Sequence, residues 1–505
     1  MDLEDLARAG AVIGAAGAAL VLLGTGRRTL LPAFALLGVA VGFLASYLVP
    51  GADLHPLVSS PARIALVCLL GLAVLAGGAL LARRAALVPV LLLAAAPFRV
   101  PVSIGAQEAF LLLPLYAILA AGVVALCLRL LRPGEAPPLP RVLAVPVATF
   151  VGFAGLSVLW TDDPRAGAIR LLFFLFPFAA LVAVVARAPF PRWLPSALGA
   201  TFVAIACGLA GVGLSQLWTE HLYFARDLEV ANAYTSYFRT TSVFADSSIY
   251  GRQLALAITV LLAALWLARF ALLPGIALVA LLWTALFFTY SQSSMVALAA
   301  ATLGLALAAA GRLGRFALLG LAVVIVAATA AVLAVSGREQ SFDRITSGRS
   351  GLVESTWGVF VDHPVVGVGI GAQPAASQEA GGRRRAEKNV SHTTPLTVAA
   401  ELGALGVLAY AGLLAGAGIL LAAVTRVDRP LGFCLAACLG LLIVHSLFYA
   451  GFFEDPLTWE ILGLGAAALA ARGAVAAPAA AGNRSALLPA SRTLTGSRLR
   501  RPWHT

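Results

Sequence analysis

Two short stretches of this sequence carry side chains that could do chemistry at a membrane. The first, FRTTSVFADSSIYGRQLALAI, sets Arg239, Asp246, Tyr250 and Arg252 at and just inside the start of an apolar run. A charge inside such a run costs about 3 kcal/mol unless something meets it. Arg252 therefore reads either as the binder of an anion or as a structural residue that pairs with Asp246 or reaches back to the surface. The second stretch, NVSHTTPLTVAAELG, places His392 where a polar segment passes into another apolar run, with Glu401 nine residues deeper. Imidazole titrates near neutrality and accepts a proton, which suits a general base. The other reading of His392 is an interfacial histidine at a helix start. At about 100° per residue, nine residues turn Glu401 roughly half way round the helix from His392, so the two do not read as a catalytic pair. An intramembrane carboxylate still wants a hydrogen-bond donor.

Between these stretches lies a long polar interruption, Ser336 to about Gly403, in a chain that is otherwise apolar. It holds Arg344 and Arg349, then GLVESTWGVFVDH, which reads as a short amphipathic helix lying on the membrane or on the bundle. Pro364 ends that helix. The GVGIGA that follows lacks the glycine spacing and βαβ setting of a dinucleotide loop and reads as a tight, flexible turn. GGRRRAEKNVSH then brings Arg383, Arg384 and Arg385 close before His392. Arg99 and Glu108, around VPVSIGAQ, read as a smaller re-entrant segment on the same side. His445 reads as a satisfied buried histidine. A basic cluster at membrane level beside one candidate base fits an anionic lipid head, such as a diphosphate, with an acceptor hydroxyl next to it. Guanidinium binds phosphate in bidentate fashion and stays charged, so it can stabilise a leaving diphosphate. The sequence has no Asp/Glu cluster with metal-ligand spacing, so neither a metal nor a cofactor is implied.

The elements that must position these residues are membrane spans. Of 505 residues 61% are hydrophobic and 11% charged, with a mean hydropathy of +0.94, well short of the roughly one-quarter charged residues of a soluble domain. Apolar runs near the ~20 residues that cross a bilayer occur at 9–26, 30–49, 63–82, 85–98, 108–130, 142–160, 167–187, 194–218, 247–268, 271–290, 294–311, 316–335, 393–424, 430–450 and 457–472. The expected fold is an all-α polytopic bundle of about 12–15 spans, with one large exterior loop containing short amphipathic helices. The chain divides into extra N-terminal spans (1–82), a core bundle (83–335), the large loop (336–392), C-terminal spans (393–473) and an Ala/Pro/Ser/Arg-rich tail (474–505) expected to be disordered and cytoplasmic.

The net charge of +12 invites a nucleic-acid partner. The arginines, however, are spread through alternate turns (Arg27/Arg28, Arg83/Arg84, Arg129/Arg132/Arg141, Arg187/Arg192, Arg269, Arg312/Arg315, Arg426/Arg429), which marks topology and a lipid bilayer instead. By the positive-inside rule those turns face the cytoplasm, and the N-terminus and large loop face outside. The acidic start, MDLEDLARAG, does not read as a signal peptide. The five cysteines all sit in apolar runs and read as small packing residues, with Cys434 and Cys438 one turn apart.

Several motifs, in order, resemble the O-antigen ligase/polymerase family of membrane proteins. RTTSVFADSSIYGRQLAL is similar to that family's R-x-x-G-x-F-x-D-P-N-x-x-G-R, TYSQSSMVALA to its T-x-S-R helix start, SGRSGLVESTWGVFVDHPVVGVGIGA to R-x-x-L-W … P-L-x-G-V-G, and SHTTPLTVAAELGALGVLAY to H-N-x-x-L … E-x-G-x-x-G. The resemblance covers about 239–410, and 97–475 more loosely. It implies a metal-independent, inverting glycosyltransferase that takes glycan from a polyprenyl-diphosphate carrier at the outer face of the cytoplasmic membrane. His392 would match the family's base, and Arg239, Arg252 and Arg349 its diphosphate-binding arginines. Gln292 stands where the family has arginine, a contact that Arg383, Arg384 or Arg385 would have to supply. Ser247-Ser248 replaces Pro-Asn, and Thr393 replaces the Asn after the histidine. The acceptor, a glycan, lipid or protein hydroxyl, is left open. The competing reading is a transporter or flippase of lipid-linked glycan, which would place its polar groups near the bilayer midplane on broken helices.

Overall fold

The computed structural model describes residues 3–49, 60–104, 107–132, 137–311, 314–316, 318, 349–379 and 390–485. In lipid every backbone group must be bonded within its own segment, so apolar runs of this length become helices. Among the described residues eleven helices are long and apolar enough to span: Leu3–Leu23, Arg27–Leu48, Pro61–Arg83, Leu113–Leu130, Arg141–Leu159, Pro164–Ala186, Leu194–Thr219, Ser247–Leu267, Gln292–Ala309, Thr394–Val427 and Arg429–Ser446. Leu272–Phe287 is a shorter apolar helix, and Pro456–Ser485 closes the described chain. The chain is an all-α, polytopic, multi-pass membrane protein.

Helices approach through small residues, as they do where lipid tails compete with side chains. A Cβ added at Gly416 would stand 2.2 Å from the Val142 carbonyl oxygen, so helices Arg141–Leu156 and Thr394–Val427 meet backbone to backbone. Pro61–Arg83 stands at the rim, with Leu69, Leu70 and Leu72 about 60% exposed where lipid would cover them.

Three expectations change. Residues 85–98 do not form a span: Leu87–Ala95 is a nine-residue helix, followed by an antiparallel hairpin of Val100–Ile104 on Gln107–Leu111. The next span accordingly begins at Leu113 and not at 108. At the C-terminus the helix runs on to Ser485 through the stretch from Ala474 that was expected to be disordered; alanine, the strongest helix former, dominates that stretch. The candidate span 316–335, with most of 336–348, 380–389 and 486–505, lies outside the described residues.

Arginine-bearing helix ends meet one another. Arg129 donates to the Arg187 carbonyl (3.3 Å) and Arg187 to that of Gly24 (2.9 Å). Arg429 donates to Ala308 (2.6 Å), and Arg472 pairs with Asp428 (3.1 Å). The opposite ends of these helices gather the polar residues described next.

Against that opposite end packs the described part of the large loop. Helix Arg349–Asp362 buries Leu352, Thr356 and Val359 and leaves Val353, Trp357 and Val361 exposed. It is therefore apolar on two sides and not on one face as its pattern suggested: the inner side docks on the bundle, forming a small cluster of Val359, Val368, Ala372 and Ala400.

Candidate functional site

The helix that follows His392 is broken, and its break is filled by the glycine segment. Within Thr394–Val427, Gly403 leaves the helical region (φ 62°, ψ −163°). Residues 364–369 insert there. The N–H groups of Val368 and Gly369 donate to the carbonyls of Ala400 (3.1 Å) and Glu401 (2.8 Å), while Ala404 and Leu405 donate to Pro364 (2.8 Å) and Val365 (3.2 Å). Four of the backbone groups around the kink are thus bonded, as a low-dielectric interior favours. Gly367, Gly369 and Gly371 have φ of 68°, 91° and 87°, the left-handed region open to glycine. A Cβ at Gly367 would meet the Glu401 backbone at 2.3 Å, and one at Gly369 the Thr161 Cα at 2.5 Å. The segment expected to be a flexible turn is a buried, clamped strip. Its carbonyl at Ile370 accepts from the Thr161 hydroxyl (3.2 Å), and its N–H there donates to Ser157 (3.0 Å).

Glu401 belongs to this clamp. Its Oε2 is 2.8 Å from Arg170 Nη1, with the carboxylate side chain 4% exposed. That pairing explains the intramembrane carboxylate. Arg170 itself was not singled out in the sequence, although an arginine four residues into the apolar run 167–187 is the signal that could have found it.

A second polar group forms around Arg252. Its Nη2 lies 2.9 Å from Asp455 Oδ2, and both side chains are buried (4% and 1% exposed). The structural partner is therefore Asp455 and not Asp246. Asp246 caps its own helix by accepting from Ser248 N (2.6 Å) and takes the Tyr449 hydroxyl on its other oxygen (2.9 Å). Burial, reinforced by the Asp246 carboxylate, holds the Tyr449 phenol above its ordinary value, so it stays a donor. Arg99, on the lead-in to the hairpin, faces the same place. Burial and then repulsion from Arg252 pull its guanidinium below the usual arginine value, while Asp455 works the other way. Asp455 thus pairs with Arg252 and acts at longer range on Arg99, so two guanidiniums are brought together at this end of the bundle.

Arg239 stands nearby on the same polar end. Its Nε donates to the Thr289 carbonyl (3.3 Å) and its Nη2 to Ser247 Oγ, beside the Asp246 cap. His445 is nearly fully buried and lies 3.3 Å from Ser293 Oγ, within electrostatic reach of Arg252. It reads as part of this cluster more than the sequence indicated. Tyr250 turns elsewhere: fully buried, it donates to the Leu209 carbonyl (3.1 Å) and stacks on Phe244, tying its helix to Leu194–Thr219.

The two groups meet at a narrow cleft. Arg170, Glu401, Thr394, Thr397, Gly451 and Glu454 are among its lining. A Cβ placed on Gly451 would be 3.7 Å from both Arg252 Nη1 and Glu454 Oε2, so Arg252 borders the cleft across that glycine. His392 is half-buried, at the start of the helix whose first turns supply Thr394 and Thr397. Its neighbour Ser391 is anchored by donating to Gln373 Oε1 (3.0 Å). Arg349 opens the helix Arg349–Asp362; Arg344 and Arg383, Arg384 and Arg385 lie outside the described residues. Gln292 is exposed at the first position of its helix.

A family model described as O-antigen ligase matches residues 276–411, the stretch from the Leu272–Phe287 helix through the large loop to the kinked helix. No curated protein matches the chain.

Proposed function

We propose, from the likeness of residues 276–411 to the O-antigen ligase family, that this chain transfers glycan from a polyprenyl-diphosphate carrier to an acceptor hydroxyl at the outer face of the cytoplasmic membrane. The observation that supports this reading is the meeting of Arg99 and Arg252 at one polar end of the bundle, with Arg252 bordering, across Gly451, the cleft lined by the first turns after His392. In the proposed reaction the acceptor oxygen attacks the anomeric carbon while its proton passes to His392. The bond from that carbon to the diphosphate oxygen breaks, and the electron pair leaves on the diphosphate. Arg239, Arg252 and Arg349 hold that leaving group, whose growing charge guanidinium stabilises without giving up a proton. A single displacement of this kind inverts the anomeric centre. Asp246 contributes indirectly by capping the helix that carries Arg252.

A transporter would use the helix break at Gly403 as its binding site. Here the freed carbonyls and amides are taken up by residues 364–369 of the chain itself, which favours the transferase. The deciding experiment supplies a polyprenyl-diphosphate-linked oligosaccharide to the purified protein in proteoliposomes with candidate acceptors. The expected products are free polyprenyl diphosphate and glycan joined to a sugar, lipid or protein hydroxyl. Donor that crosses the bilayer chemically unchanged would overturn the proposal.

A further inference from the structure

Beside Arg239 two aromatic rings are held in an arrangement that the transfer chemistry does not use. Tyr237 and Tyr290 pack against each other with centroids 4.5 Å apart and their planes tilted by 38°. Tyr237 is 43% exposed, and Tyr290 is half-buried. Tyr290 takes a left-handed backbone (φ 51°), a conformation disfavoured for a bulky residue and found where a site requires it. Its neighbours fix its place: Thr289 accepts from Arg239 Nε (3.3 Å), and Ser291 caps the helix that begins at Gln292. The turn therefore holds the tyrosine rings next to the backbone that Arg239 bonds, with the exposed Gln292 two residues after Tyr290 in the chain.

We propose that Tyr237 and Tyr290 form a platform for a sugar ring, namely the pyranose attached directly to the donor's diphosphate. This rests on the proposed role of Arg239 toward that diphosphate. A pyranose presents a face of C–H groups made slightly positive by their oxygens, which the negative face of an aromatic ring attracts. Its edge hydroxyls suit the donor and acceptor atoms of an amide such as Gln292. Because the platform adjoins Arg239, the ring it reaches is the one next to the diphosphate. A tyrosine pair serving only as a membrane-interface anchor would show no preference between lipids with and without sugar.

The test compares equilibrium binding of three probes to purified protein in nanodiscs: bare polyprenyl diphosphate, the same carrier bearing one sugar, and a free oligosaccharide acceptor. Tyr237→Ala should weaken the sugar-bearing carrier about three- to tenfold and leave the bare carrier unchanged, with Tyr237→Phe restoring wild-type binding. Tyr290→Asn, which tolerates the left-handed backbone, should act like Tyr237→Ala. Arg239→Ala should weaken both carriers alike. Equal loss for both carriers in Tyr237→Ala would overturn the platform, and loss confined to the free acceptor would overturn its assignment to the donor. Wild-type protein that binds neither carrier would overturn the transferase reading together with this inference. Wild-type protein that binds both, with the tyrosine variants unchanged, would overturn the inference alone.

Discussion

Replacing Arg252 with methionine removes one member of an ion pair whose side chains are only 4% and 1% exposed, leaving the Asp455 carboxylate buried with its counter-charge gone. Removing one partner of such a pair costs about 3–5 kcal/mol, mostly from the uncompensated charge. Arg99 tempers that cost, since Asp455 already acts on it, so a loss near 3 kcal/mol is expected. Asp455→Asn in the same chain removes the stranded charge. It keeps the oxygen that accepts from Leu457 N at 2.9 Å, and the deficit should fall to about 1 kcal/mol, the worth of an ordinary hydrogen bond. Denaturant or thermal unfolding in detergent measures both steps, and a donor-saturation curve on the same preparations separates fold from function. The double variant should regain stability and still fail to saturate with donor. A single variant as stable as wild type would refute the pairing. A double variant that recovers donor use as well as stability would refute the diphosphate role of Arg252.

Gly369→Ala must either push its new Cβ into the Thr161 Cα, 2.5 Å away, or pull the strip off Glu401. With about 1–2 kcal/mol for the left-handed backbone and about 1 kcal/mol for the lost hydrogen bond, a loss near 3 kcal/mol is expected, seen as a lowered melting temperature and faster proteolysis within 349–379. Unchanged values would contradict the clamp. Glu401→Gln should cost less, about 1–2 kcal/mol, because the Arg170 side chain is 26% exposed and water screens part of the pair; Arg170→Met in the same chain should add little, and strictly additive losses would argue against their pairing. Tyr449→Phe deletes the donor to Asp246 Oδ2 at 2.9 Å. A hydrogen bond to a charged acceptor is worth about 1.5–3 kcal/mol, so a measurable drop in stability is expected, and wild-type stability would count against that bond.

The spans were legible because apolar length is a local property: runs such as 194–218 and 247–268 return as helices within a residue or two. Residues 85–98 misled because their apolar content equals that of a span, while Pro97 and Val100–Ile104 turn the chain into a hairpin whose pairing depends on strand Gln107–Leu111. Arg252 and His392 stood out as polar residues at apolar junctions. Their surroundings did not, because the partners are remote in sequence. Arg170 and Glu401 are 231 residues apart, and nothing local joins Arg252 to Asp455. GVGIGA was recognisable as glycine-rich, but what the glycines admit is the backbone of a broken helix, and the break at Gly403 has no local mark beyond one glycine in an apolar run. Tyr290 gave no signal at all, since a left-handed tyrosine is a matter of φ and not of composition.

The central claim is that this chain moves glycan off a diphosphate carrier with His392 taking the acceptor's proton. The most direct test measures release of polyprenyl diphosphate from a lipid-linked oligosaccharide, in the presence of acceptor, by purified wild-type and His392→Ala proteins matched for melting temperature and donor binding. The account predicts acceptor-dependent release by the wild type and a loss of about 10²-fold or more in the variant, the usual contribution of a positioned general base. Equal rates from the two proteins would contradict it.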